Sequence, residues 1–171
     1  MKSSPSRRAL APGVAVVLGT VLASCSAATT GDSVGARGQV PSWAEDATPE
    51  SVGKRLGVEV PATATDRRAA YQNGFQDDEL LLAFSLSTPE ADAFVTGLAP
   101  RIELTRRDKP LRKSVEPTAP FSHLGLAEPE TLPDVREGQI CAPCEGQLNS
   151  LRIAVHPLDD RVSRVYLRGV D

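Results

Sequence analysis

The sequence predicts an α+β domain, a small antiparallel sheet with one or two helices packed on one face, together with a long proline-rich loop region. Three observations predict it. Residues 79–87, "ELLLAFSLS", alternate with period two, placing Leu80, Leu82, Phe84 and Leu86 on one strongly apolar face. Two segments carry both start and stop signals for helices. The stretch "LNSLRIAVHPLDDRVSRVYLRGVD" has the composition of a hairpin. Four to six strands are expected, over a core of mainly Leu, Val and Ala, because the whole chain has only seven aromatic residues.

In chain order, the first element is not part of the domain. Lys2, Arg7 and Arg8 precede an apolar run from Ala9 to Ala23, which is shorter than the roughly 20 residues a membrane-crossing helix needs. It suits the apolar region of a signal peptide instead. The following "LASC", residues 22–25, resembles the lipobox of bacterial lipoproteins. That resemblance implies cleavage before Cys25, a diacylglyceryl group on its sulfur, and a lipid-anchored chain on the extracytoplasmic face of the cell membrane. No later stretch is apolar for long enough to span. Residues 1–24 are thus expected as signal peptide, 25–46 as a flexible linker and 47–171 as a single domain. The linker reading rests on "SAATTGDSVGARGQVPS", which is small, polar and without apolar period.

"ATPESVGKRLG" then predicts a short helix. Thr48 is its N-cap, Pro49 occupies the first turn, and Lys54 and Arg55 precede Gly57. From Val58 the pattern turns to strand, and a hairpin is expected whose second strand, 79–87, is central. Its bend falls either at Asn73-Gly74 or at the acidic cluster Asp77-Asp78-Glu79. "STPEADAFVTGLAP" predicts the second helix, capped by Ser87 or Thr88 and ended by Pro100. Ala91, Phe94, Val95 and Leu98 fall at i, i+3, i+4 and i+7, one apolar stripe that needs a sheet to cover.

Residues 101–140 hold Pro110, Pro117, Pro120, Pro129 and Pro133, which exclude a long helix and leave loops and short strands. They also hold a basic run, Arg101, Arg106, Arg107, Lys109, Arg112 and Lys113, broken by Glu103 and Asp108. Such a run can grip an anionic wall polymer or lipid headgroup, or can be a solvated loop. In the closing hairpin, Leu151, Ile153 and Val155 form the first strand, "HPLDD" the turn, and Val162 to Leu167 the return.

Charge narrows the partners. The signal segment carries three of the 19 basic residues and none of the 22 acidic ones, so the remainder has 16 against 22, a formal charge of −6. That argues against nucleic acid, which calls for a net basic face.

Three cysteines are present, and lipidation would consume Cys25. Cys141 and Cys144 remain, in "EGQICAPCEGQ", and outside the cytosol such a pair is expected as a disulfide. "CAPC" also resembles the CxPC motif of thioredoxin-type proteins, which would make Cys141 the nucleophile of a thiol-disulfide exchange protein. The context departs from that family: no tryptophan precedes the motif, and "EGQLNS" after it is a poor helix start. Zinc held with His123 and His156 would need separations of 18 and 12 positions, which fit no short finger spacing.

No G-x-S-x-G elbow, H-E-x-x-H, phosphate-binding loop or glycine-rich dinucleotide turn occurs in the sequence. The pairs Asp77-Asp78 and Asp159-Asp160 could flank a glycosidic bond or hold calcium, but adjacent acids in turns are far more often turn formers. No catalytic residue, cofactor or metal is expected. The body of the chain, "ATDRRAAYQNGFQDDELLLAFSLSTPEADAFVTGL", resembles small lipoproteins of high-GC actinobacteria, a resemblance that implies no particular activity. The expected role is therefore non-enzymatic. The domain would bind a protein, cell-wall component or small ligand beside the membrane that Cys25 anchors it to.

Overall fold

A computed structural model describes residues 41–111 and 120–171. The fold is α+β. A seven-stranded antiparallel sheet runs in the order β1-β2-β3-β7-β6-β5-β4, built from β1 Ser42–Trp43, β2 Thr65–Asn73, β3 Glu79–Ser87, β4 Thr105–Arg107, β5 Val135–Cys141, β6 Ser150–Pro157 and β7 Val162–Val170. Two helices, α1 Pro49–Leu56 and α2 Thr88–Gly97, pack on one face. Among the described residues no helix is long and apolar enough to cross a membrane.

The local signals act as their chemistry requires. Thr48 and Ser51 form a reciprocal capping box at α1, and Gly57 ends it at φ 69°, where a side chain would be strained. Glu90 closes the equivalent box at α2 by accepting from the Ser87 backbone N–H at 3.2 Å. Hydrogen bonds from the Ser87 hydroxyl first, then from the Thr63 side chain and the Ser87 backbone N–H, hold the Glu90 carboxyl below its usual range. Phe94 of the expected stripe meets Phe84 of β3 edge to face at 5.2 Å, and Ala91 is fully buried beneath the helix.

Strand β3 is the centre of the fold. It pairs along all nine residues with β7, from Glu79 opposite Val170 to Ser87 opposite Val162. The β2–β3 bend uses both candidate signals: Asn73 ends β2, and the Asp78 carboxylate accepts the Gly74 N–H at 3.0 Å. Strand β2 begins at Thr65, later than Val58. Arg67 explains part of the delay, because its guanidinium holds the carbonyls of Pro61, Ala62 and Ala64 in a turn.

Three features differ from the sequence expectation. The sheet has seven strands, because two very short ones carry too few residues to show a period. One of them, β1, lies in the stretch expected as linker: Ser42 pairs with Asn73 and Trp43 with Gln72. The other, β4, lies in the proline-rich stretch and pairs with the start of β5. The third difference is a second apolar layer. Leu81 and Ala83 are as fully buried as Leu80, Leu82 and Phe84, because the 3-10 turns Pro120–Leu124 and Pro129–Thr131 and their flanks cover the face opposite the helices. There Phe121 packs edge to face on Tyr166 at 5.1 Å. Of the expected proline-rich loop, residues 112–119, with Arg112, Lys113 and Pro117, lie outside the described residues, as do residues 1–40, which hold the stretch expected as signal peptide, Cys25 and most of the expected linker.

Candidate functional site

Cys141 is the last residue of β5, and a bulge between Gln139 and Cys141 swings the chain out of register with β6. The chain then turns through Ala142 and Pro143, both exposed, and Cys144 returns to bond Cys141. The two Cα atoms are 4.9 Å apart, within the range a disulfide permits. Both half-buried cysteines pack on the helix-side core beside Leu148 and Ile140. Beyond Cys144 the chain runs through a turn into β6, with no helix following the clasp.

The structure brings this clasp together with one residue of the basic run. Arg101 donates through Nη1 to the Ala142 carbonyl and through Nη2 to the Pro143 carbonyl, each at 3.1 Å. Beside the clasp lies an open groove of about 370 Å³, lined by Arg101, Ile102, Glu103, Thr105, Gln139 and Ala142 among others. Ile102 is 78% exposed at its edge, the most open large apolar side chain among the described residues. The groove exists because β4 pairs with β5 only from Val135 to Glu137, leaving the rest of that strand without a neighbour in the ladder on this side. A larger concavity of about 640 Å³ borders α1. Its Arg67 is spent on the turn that precedes β2 and on Glu50.

Two further arginines of the basic run are occupied. Arg106 is paired with Asp108 and Asp134, each at 2.9 Å. Arg107 bonds Glu137 and the carbonyls of Pro129 and Leu132, which makes it a strut between β4 and the 3-10 turn. These arginines therefore build the fold and do not present a continuous anion surface.

The other candidates fall in separate places. His123 is exposed and stacks on Trp43 with 3.9 Å between ring centroids. His156 places Nδ1 3.1 Å from the Pro133 carbonyl, and burial lowers its pKa. Both histidines are thus engaged with groups other than the cysteines, and the described residues contain no group of three or more metal-binding side chains. Asp78 takes a hydrogen bond from Tyr71 and, with Asp171, neutralises Arg55, whose guanidinium carbon lies 4.1 Å from the centre of the Tyr71 ring. Asp159 accepts the backbone N–H groups of Arg161 and Val162, which lower its pKa, so it is a turn former in the β6–β7 bend.

Sequence reasoning missed two groups. Glu128 is only 5% exposed, and burial raises its pKa to about 7. Arg152 is exposed on β6 with no hydrogen bond or ion pair to any described residue. Its alternation with Leu151 and Ile153 announces an outward side chain, but only the sheet order shows what lies beside it. Comparison with protein families, with characterised proteins and with solved structures finds no match to this chain.

Proposed function

We propose that the chain is a lipid-anchored extracytoplasmic lipoprotein whose α+β domain binds a partner non-enzymatically at the cell surface. The observation that carries the reading is the Cys141–Cys144 disulfide, which holds one wall of an open groove through Ala142 and Arg101. A disulfide persists outside the cytosol, which is where the lipobox resemblance at residues 22–25 would send the domain. Two or more acyl chains make such an anchor stable, at about 0.8 kcal/mol per buried methylene. The anchor at Cys25 then supplies the membrane contact, and the groove is left for a protein, wall component or small molecule.

Mass spectrometry of the mature N-terminus, with membrane fractionation, tests the anchor. A diacylglyceryl-modified Cys25 in the membrane fraction is the expected result. An unmodified Cys25 in the soluble fraction would overturn the compartment and the anchor together.

The exposure of Ala142 and Pro143 between the cysteines favours one second reading, thiol-disulfide exchange at Cys141 and Cys144. A reduction potential in the range of cellular oxidoreductases would select it. A strongly reducing potential would select the binding domain.

A further inference from the structure

The groove beside the clasp shares Gln139 with an unusual row on the sheet. On β6 and β7, Arg152 lies directly opposite Arg168, and Gln139 of β5 lies directly opposite Arg152 on its other side. Directly opposed residues project from the same face of a sheet, so the three side chains form one row. Like charges in such a pair are destabilising. The fold relieves half of the conflict, since Glu79 of β3 neutralises Arg168. Arg152 is left exposed and unpaired, although every other described arginine in the sheet has an ion pair or hydrogen bond to a carboxylate or carbonyl.

Gln139 joins this row to the groove, because it also lines the cavity that Ile102 edges. An apolar side chain and an open guanidinium therefore flank the same amide. From this geometry we infer that the row and groove form a docking surface for a peptide segment of a protein partner, one that carries a carboxylate next to an apolar side chain. The carboxylate pairs with the guanidinium of Arg152, as Glu79 pairs with Arg168 through Nε one strand away. The apolar side chain enters the groove beside Ile102, and Glu103, lining the same groove, turns acidic residues toward the Arg152 end. This inference rests on the binding-domain reading and names its partner.

The test uses the full chain and two fluorescent, end-blocked hexapeptides, one with two glutamates followed by two leucines and one with lysines in place of the glutamates. Saturable binding of the acidic peptide is expected in fluorescence polarisation. Arg152→Glu and Arg152→Gln should weaken it about tenfold, the loss of one charge-assisted pair. Ile102→Asp should weaken it to a similar degree, whereas Arg106→Ala, outside the groove, should leave it unchanged. Circular dichroism melts confirm that these surface variants fold. Equal binding of the two peptides, no binding of the acidic one at millimolar concentration, indifference to Arg152, or full competition by inorganic phosphate at equal concentration would each overturn the proposal. Peptide binding is read independently of Cys25, so an absent lipid with intact binding sinks only the anchor. An intact lipid with no binding sinks only the docking surface.

Discussion

The carboxylate of Glu128 accepts the backbone N–H of Ser122 across 2.8 Å, tying the two 3-10 turns of the cover layer to each other. Burial pushes this carboxyl up to about 7, with Glu130 reinforcing the shift and the backbone N–H groups of Ser122 and Phe121 opposing it, along with Arg168. The unfolded value is near 4.3. Between those values the folded state keeps a proton that the unfolded state releases, so this contribution to stability is full below about 4.3 and is lost as pH rises through about 7.

Glu128→Gln therefore gains stability relative to the parent as pH rises from 5 to 8, by about 1–2 kcal/mol after allowance for solvent screening. Urea melts of both proteins across that range measure it. The difference between the two is the quantity to read, because His156, with its lowered pKa, adds a slope of opposite sign below about 6.5.

Gly53 of α1 sets two effects against each other. Alanine in a helix interior is worth about 1 kcal/mol over glycine. Here a Cβ would stand 2.9 Å from the Val58 carbonyl oxygen and 3.3 Å from Val60 Cγ2, and the backbone cannot yield as a side-chain tip can. Overpacking costs about 1–3 kcal/mol. Gly53→Ala should accordingly come out destabilising, by about 1 kcal/mol, in chemical denaturation.

Leu81 and Leu82 point to opposite faces and are both fully buried. Replacing either by alanine should cost about 2–5 kcal/mol. A one-layer sheet would lose that much only at Leu82. Equal loss in the two variants, by denaturant unfolding at constant m-value, is the expected outcome.

The Cys141–Cys144 bond closes a loop of about four residues, which limits its chain-entropy contribution to about 2 kcal/mol. The double serine variant should therefore stay folded with a modest loss of stability. Wild-type protein with and without reductant should show the same difference.

The sequence by itself determined the elements whose signals are local. The capping residues and terminal glycine of α1, the capped start of α2 at Ser87 or Thr88, the period-two run of β3 and the closing hairpin all depend on neighbours a few residues away. It also marked Cys141 and Cys144 as a pair, because three positions of separation keep them within reach whatever the rest of the chain does.

Only the tertiary structure decided what depends on residues distant in sequence. Alternation put Leu81 and Ala83 opposite the apolar face, yet the segment around Phe121 and Leu126 buries them from forty residues away. The short strands β1 and β4 are strands only because β2 and β5 offer them backbone partners. Likewise the basic run gathers cations along the chain, but folding spends Arg101, Arg106 and Arg107 on carbonyls and carboxylates. Among the described arginines of the strands, the one left open is Arg152, where period two shows only that it faces outward. A side chain's direction is set by its own backbone, whereas its partners are set by the order in which strands are laid side by side.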